Sequence, residues 1–512
     1  MNMKTKLAVA AIALAVGMVP AFAGKDDDTL RMAFEYPIST VDAYADYKPE
    51  IEMLSQMVFD RLVAFEEESG EYKPMLATSW EQVNETTWRF NLREDVSWHD
   101  GEPFTADDIV YTLNWIIAPE TQVRQKSEMS WLAEAVMVDD HTVELKTNGL
   151  TANILSLLSS GGHILPEHIH GPLEDKAEFR NNLVGTGMYE VTELTSDGQL
   201  TLSENEDYAM ASDYWPAPSI GTVQIRAVPD IGAQTAALMS GDLDFVRNAR
   251  FEEAQAIASS PDYEVTLSQS IAYIYMMLDT DGQSGQEALA DPRVRQALIK
   301  AVDRNAVQTS RTGGQEPSRT VDHLCWDFQI DCAYNTPIPA YDPEGAKALL
   351  EEAGYGDGFS VTIHTFNSVK DFAEVVGGYL SQVGVDVEII GQTFAAFRKS
   401  QADEEFQILL AAWNGGKGPD SMLAFQPFFN SDARDLLNDP EVTEINKAIS
   451  SMNTGEERAS MVAQVLDASV GQGYMIPMSG IPIVFLHKAE LEMNGNRMLP
   501  YTVYLNDFTW AE

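Results

Sequence analysis

The fold is decided by residues 76–112, LATSWEQVNETTWRFNLREDVSWHDGEPFTADDIVYT. Apolar and polar residues alternate over residues 87–92, which predicts a half-buried strand. A second apolar run over residues 96–98 predicts another strand, and Asp100-Gly101 predicts a tight turn after it. Thr105 and the acids that follow it are typical of a helix N terminus, where the helix dipole favours negative charge. The stretch contains no nucleophile and no metal cluster, so it predicts a scaffold.

The same stretch resembles a segment shared by the dipeptide-, oligopeptide- and nickel-binding family of ABC-transporter solute-binding proteins. The resemblance rests on Leu76-Ala77, Ser79-Trp80-Glu81, Trp88 to Leu92, His99-Asp100-Gly101, Pro103-Phe104-Thr105 and Asp108. Later segments follow in the family's order, among them Gly185-Thr186-Gly187-Met188-Tyr189 and residues 341–365. The resemblance covers nearly the whole mature chain. It implies an α/β protein with the two-lobed periplasmic-binding-protein fold, type II and cluster C-like.

The resemblance also implies how the chain is divided between the lobes. Two strand-like crossovers, near residues 264–274 and 480–490, would join them. The expected parts are a signal peptide (1–23), domain I as the main lobe (24–59, 196–268 and 486–512), an extra subdomain of domain I (60–195) and domain II (269–485).

Length and charge exclude several other classes of protein. The chain has 512 residues, 45% of them hydrophobic, which is too long for one ordinary domain and enough for sizeable cores. Its formal net charge of −46 argues against binding to nucleic acid or to anionic membrane surfaces. The acidic excess predicts a solubilising surface, and attraction of cationic solutes would require acids inside the ligand cleft.

The first 23 residues predict an export signal. Lys4 and Lys6 form the positive end, residues 7–19 are apolar, and Ala21-Phe22-Ala23 is a small-residue cleavage site. The apolar run is short for a membrane span. No cysteine lies near the expected cleavage after Ala23, so the sequence predicts a periplasmic protein without a lipid anchor.

Both cysteines, Cys325 and Cys332, lie in the short segment HLCWDFQIDC. In an oxidising compartment this spacing predicts a local disulfide. A metal site is the alternative, but only His323 is nearby and the Cys-x-x-Cys spacing of zinc sites is absent.

The most informative segment for the ligand is ILLAAWNGGKGPDSM, residues 408–422. A buried strand is predicted to end at Trp413, and in open α/β sheets ligands gather at the carboxyl ends of strands. An aromatic ring there can stack on a ligand, although a tryptophan that only packs at the rim would give the same pattern. The predicted ligand-binding residues are Glu35, Tyr36, Phe366, Asn367, Trp413, Asn414, Gly415 and Asp420.

The resemblance implies a peptide ligand, with one departure. Peptide binders of the family carry an aspartate shortly after this tryptophan, and it pairs with the amino terminus of the ligand. Here Gly416 takes that place and Lys417 follows, so Asp420 or Glu35 would have to substitute. A di- or oligopeptide is therefore the first predicted ligand, and an opine-like compound, an oligosaccharide or a nickel complex is the alternative.

The remaining candidates for chemistry are weak. His163, His168 and His170 lie close together, but the turn in which they occur needs no metal, so we expect neither a metal nor a cofactor. An exported hydrolase is the competing class, yet the sequence has no Gly-x-Ser-x-Gly or His-Glu-x-x-His motif. The sequence predicts a monomeric receptor that is not an enzyme and that delivers its solute to the transmembrane subunits of an ABC permease.

Overall fold

The computed structural model describes residues 24–494 and 503–512, except residues 47, 124–125, 127, 152, 281, 316–320, 404, 416–417 and 431–436. Its apolar side chains collect in separate cores on two sides of the molecule. We call residues 24–268 and 483–512 the first lobe and residues 269–482 the second lobe. The cores of both lobes are built by helices packed against strands, as an α/β protein requires.

The first lobe contains most of the strands in the N-terminal half of the chain. Its strands are β1 (Thr29–Phe34), β2 (Val63–Glu66), β3 (Glu71–Pro74), β4 (Ala77–Asn84), β5 (Thr87–Leu92), β6 (Leu132–Asp139), β7 (Thr142–Thr147), β8 (Tyr189–Leu194), β9 (Leu200–Glu204), β10 (Thr222–Ala227) and β11 (Phe245–Val246). Its helices are α1 (Pro49–Val58), α2 (Ala106–Ile117), α3 (Ile154–Ser160), α4 (Glu167–His170), α5 (Ile231–Ser240) and α6 (Phe251–Ile257).

The second lobe alternates helices and strands. It begins within β12 (Tyr263–Leu278) and continues with α7 (Pro292–Lys300), α8 (Arg304–Thr309), α9 (Pro343–Glu352), β13 (Phe359–Phe366), α10 (Lys370–Gln382), β14 (Val385–Gln392), α11 (Phe394–Ala402), β15 (Ile408–Trp413), α12 (Ser421–Phe425), α13 (Pro440–Ile449) and α14 (Glu456–Gln472). The chain returns through β16 (Met475–Lys488) and ends with β17 (Leu491–Met493) and β18 (Phe508–Trp510). None of the described helices is both long and apolar enough to cross a membrane.

A single sheet runs through both lobes. Within the described residues its order is β14-β13-β15-β12-β16-β11-β1-β10-β9-β8. Strands β12 and β16 pair antiparallel from Tyr263 opposite Lys488 to Met277 opposite Met475, with a register shift between Gln269 and Tyr273. These two long strands lie where the sequence predicts the crossovers, and they connect the cores of the two lobes.

The stretch over residues 76–112 folds largely as its pattern predicts. Strand β5 and helix α2 lie where they are expected, and the Asp108 carboxylate accepts the Thr105 N–H at the start of α2 at 3.0 Å. The strand expected from residue 96 is wrong, because Ser97 makes only one bridge, with Pro103. Trp98 is instead buried in a loop, where its indole N–H donates to Asp108 at 3.3 Å.

Strand β8 belongs to the large sheet, although the expected subdomain boundary at residue 195 places it outside the main lobe. It pairs antiparallel with β9, the next strand of the chain, and β9 pairs with β10. A hairpin with β9 brings β8 into the same sheet, and this pairing extends the main lobe back to Tyr189.

The Gly185-Thr186-Gly187 motif lets two segments of the first lobe approach closely. A Cβ atom on Gly185 would lie 1.7 Å from the Val58 carbonyl oxygen, and the Gly187 N–H donates to that oxygen at 2.9 Å. The Thr186 hydroxyl donates to the buried Asp60 carboxylate at 2.9 Å. The glycines are therefore explained by packing against the end of α1.

Buried histidines predict that the fold weakens in acid. Burial lowers the pKa of His170 and of His323 to about 4, whereas both would titrate near 6.5 in the unfolded chain. Between pH 6.5 and 4 the unfolded state therefore binds up to two more protons through these groups, so the free energy of unfolding falls as pH falls. Burial raises the pKa of Asp60 to about 6, which offsets about one of those protons.

We therefore expect urea unfolding to give a lower free energy of unfolding at pH 4.5 than at pH 7. Each net proton contributes a slope of about 1.4 kcal/mol per pH unit. The variant His170→Gln should flatten this dependence by about one proton. Equal stability of the unmodified protein at the two pH values would contradict the prediction.

Candidate ligand-binding cleft

A cavity of about 620 Å³ lies between the two lobes. The lining contributed by the first lobe includes Tyr44, Ser55, Phe59, Trp131 and His163. The lining contributed by the second lobe includes Trp413, Asn414, Met422, Gln426 and Arg458. A volume of this size, with aromatic rings and polar and charged side chains in its lining, is that of a small-molecule site.

Trp413 ends the buried strand β15 and reaches the cavity from the second lobe. Its backbone lies opposite Tyr273 of β12, so the central sheet fixes its position. The indole ring is half-buried and meets Phe428 edge-on, with ring centroids 5.2 Å apart. Its N–H is enclosed by protein and has no acceptor among the described residues. The surface that Trp413 offers to a ligand is therefore the apolar part of the ring.

The loop after Trp413 is shaped by close backbone contacts. Gly415 has a φ of 66°, and a Cβ there would lie 2.7 Å from the carbonyl oxygen of Ile271. Only glycine combines that backbone conformation with that approach. Gly416, which takes the place of the aspartate of the peptide binders, and Lys417 lie outside the described residues.

Asp420 is buried and serves the interior of the second lobe. Its carboxylate receives two hydrogen bonds from Arg458, at 2.6 and 2.8 Å, and one from the N–H of Met422 at the start of α12. Its own N–H donates to Ser156 Oγ of the first lobe at 3.3 Å. The lobes thus touch beside the cavity, while the Asp420 carboxylate is fully engaged by Arg458 and the helix.

A family model described as "Bacterial extracellular solute-binding proteins, family 5 Middle" matches residues 71–435. The chain belongs to this family. It is accordingly a solute-binding component of an ABC importer, and the resemblance noted in the sequence is confirmed.

Three known proteins illustrate what the chain is similar to. It is 25% identical to heme-binding protein A of Haemophilus influenzae, over 83% of this chain and 82% of that protein. It is 26% identical to the dipeptide-binding protein of Escherichia coli, over 72% of each chain. The structure of the substrate-binding protein CtaP of Listeria monocytogenes superimposes with a TM-score of 0.81 at 18% identity, covering 94% of this chain and 99% of that one. The two-lobed fold expected from the sequence is confirmed.

The structure brings two of the eight predicted residues of this family 5 protein, Trp413 and Asn414, to the cavity. Gly415 and Asp420 are not among the described lining residues, although each is close in the chain to one that is, Asn414 or Met422. Glu35 and Tyr36 are not among the described residues that line the cavity. Tyr36 donates to Glu50, which also pairs with Arg247 at 2.7 Å.

Phe366 and Asn367 also lie apart from the described cavity lining. The Phe366 ring meets Phe397 at 5.4 Å and the exposed Phe394 at 5.5 Å, both edge-on. Asn367 is exposed at the end of β13. Neither residue is among the described residues that line the cavity, and their predicted contact with a ligand stays a prediction.

The three histidines predicted to lie close together have separate partners. His163 pairs with Asp42 at 3.2 Å and stacks on Tyr44, a wall of the cavity, at 3.9 Å between ring centroids. The other two meet Asp100 and Tyr111, respectively, elsewhere in the first lobe. In the part of the chain that the structure describes, no group of three or more His, Cys, Asp or Glu residues is placed to hold a metal.

Sequence reasoning missed the buried residues that complete the cavity. Trp131 is nine-tenths buried in the first lobe and Arg458 is fully buried in the second. Trp131 follows a stretch without clear periodicity, and Arg458 lies in the helix α14, where an arginine is usually exposed. The one signal in the sequence is Asp420, because a carboxylate that becomes buried needs a positively charged partner such as Arg458.

Proposed function

We propose that this family 5 protein is a periplasmic receptor that captures a di- or oligopeptide in the cleft and delivers it to a membrane permease. The cavity between the lobes carries the proposal, because its lining combines aromatic rings with charges of both signs. Glu52 and Glu128 line it on the first-lobe side, together with Arg61. A peptide carries both signs of charge at its ends and apolar side chains between them, so it fits such a lining.

The position of the acids suggests how the peptide would be oriented. Asp420 is engaged by Arg458 and helix α12, so it is not available as a partner for an ammonium group. Among the described residues that line the cavity, the carboxylates are Glu52 and Glu128. Both lie on the first-lobe side, so we place the amino terminus of the ligand there, where its positive charge would add to the interactions that Glu52 and Glu128 already make, and an apolar part of the ligand on Trp413.

Closure of the lobes would couple binding to transport. A ligand that contacts both walls stabilises the conformation in which the lobes meet, as Ser156 and Asp420 do here, and so shifts an open–closed equilibrium. The closed form is then the one that the permease recognises. This mechanism needs no catalysis, so we propose that the protein is not an enzyme.

Export and assembly complete the proposal. Cleavage after Ala23 would release the mature protein into the periplasm, and sequencing of the N terminus of the purified mature protein tests this. We propose that it acts as a monomer, which light scattering would check. Release of products from a peptide mixture would instead favour the hydrolase.

A thermal-shift screen tests the ligand class. A ligand that binds only the folded state raises the melting temperature, by an amount that grows with its concentration over its Kd. We expect defined dipeptides and tripeptides to raise it, and oligosaccharides, opine-like compounds and nickel complexes to leave it unchanged. The reverse result would assign the non-peptide alternative.

A further inference from the structure

The Cys325–Cys332 disulfide closes a short loop against the second-lobe wall of the cleft. The two cysteines are bonded, as the sequence predicts, with their Cα atoms 5.9 Å apart. We call residues 325–332 the disulfide loop. None of its described residues lines the cavity, yet it contacts the chain on both sides of the segment that follows Trp413.

The C-terminal half of the loop runs along residues 418–421. The Gln329 side-chain amide donates to the Gly418 carbonyl oxygen at 3.0 Å. The Ile330 N–H donates to the Pro419 carbonyl oxygen at 2.7 Å, and the Ser421 N–H donates back to Ile330 at 3.1 Å. These hydrogen bonds from the disulfide loop therefore position the backbone that leads into α12.

The next residue of the loop supports Arg458. Asp331 accepts from Arg458 at 2.6 Å, and Arg458 in turn holds Asp420. Asp331 has a φ of 59°, a conformation that residues other than glycine seldom adopt. Such a conformation persists only where the surrounding structure enforces it, and Asp331 is held by Arg458 and by the Gly455 N–H and is followed by the disulfide-bonded Cys332.

The N-terminal half of the loop supports the other end of the wall. The indole N–H of the buried Trp326 donates to the carbonyl oxygen of Ile271 at 2.7 Å. Gly415 packs against that same carbonyl group, two residues after Trp413. The disulfide loop thus supports the cavity wall on both sides of residues 416 and 417, which lie outside the described residues.

We propose that the Cys325–Cys332 disulfide is a positioning element of the ligand site, which holds residues 418–421 in place and thereby sets the affinity for ligand. The effect on affinity rests on the proposed function. Without the bond the loop would relax, and the hydrogen bonds from Gln329 and Ile330 would loosen with it.

Hydrogen exchange followed by mass spectrometry tests the positioning without any ligand. We expect amides in residues 418–425 to exchange at least tenfold faster in the double variant Cys325→Ser/Cys332→Ser than in the unmodified protein. Gln329→Leu, which keeps the disulfide but removes the donor to Gly418, should have the same effect at lower amplitude. Leu380→Ala, in a different apolar cluster of the second lobe, is the control for general loss of stability and should leave this segment unchanged.

Titration with a defined mixture of dipeptides and tripeptides then tests the affinity. We expect the apparent Kd to rise at least fivefold in the double variant and in Gln329→Leu, but not in Leu380→Ala. Unchanged exchange in residues 418–425, or faster exchange with an unchanged Kd, would overturn the proposal. Faster exchange together with no peptide binding by the unmodified protein would support the positioning role and refute the peptide ligand alone.

Discussion

Replacing Trp413 with alanine is expected to weaken ligand binding about ten- to a hundredfold, a loss of about 1–3 kcal/mol. The ring ends β15, lines the cavity and is only half-buried. Its removal should therefore cost less stability than the roughly 3–5 kcal/mol typical of a fully buried tryptophan. Calorimetric titration with a peptide identified by the thermal-shift screen measures the first quantity, and urea unfolding measures the second.

Trp98→Ala is the matched control. Trp98 is fully buried in the first lobe, away from the cavity, so its loss should destabilise the fold by about 3–5 kcal/mol and leave the Kd of the folded fraction unchanged. A Trp413→Ala protein that unfolds as easily as Trp98→Ala but binds normally would make Trp413 a core residue and move the site elsewhere.

Replacing Arg458 with methionine is expected to lower the free energy of unfolding by about 3–5 kcal/mol. The Arg458 side chain is fully buried and pairs with Asp331 and Asp420 at 2.6 Å each. Methionine fills a similar volume but leaves two carboxylates without their cation in the interior, and the desolvation of an unpaired charge is costly. Urea unfolding of both proteins at pH 7 provides the measurement.

Two further variants separate this effect from simple loss of packing. Arg293→Met removes an exposed arginine that pairs with Asp291, and it should cost at most about 1 kcal/mol. Adding Asp420→Asn to Arg458→Met removes one of the unpaired charges and should restore part of the loss. If Arg458→Met were as stable as the unmodified protein, the buried ion pairs would not hold the wall together.

Local patterns were sufficient for single elements both beside the site and away from it. Strand β15 is predicted by its continuous apolar run, and α2 by the capping residues at Thr105 and Asp108, because each pattern depends on neighbours in the chain. The disulfide follows from its short spacing in the same way. Local patterns fail at residues 96–98. There the alternation of apolar and polar residues predicts a strand, but a loop that buries Trp98 has the same alternation.

The partners of the site residues could not be predicted from the sequence. Asp420 follows the glycine-rich loop like a ligand contact, but Arg458, 38 residues later, engages it. Trp131 reaches the same cavity from the other lobe, and no periodicity links it to Trp413. Such pairings depend on tertiary packing, which one sequence does not encode in any local pattern.

Small-angle X-ray scattering of the mature protein, with and without a saturating peptide, tests the central claim that ligand binds between the lobes and closes them. We expect a smaller radius of gyration with ligand, and we expect Trp413→Ala to show the same decrease only at a higher peptide concentration. Superimposable profiles, measured where calorimetry shows the peptide bound, would contradict it.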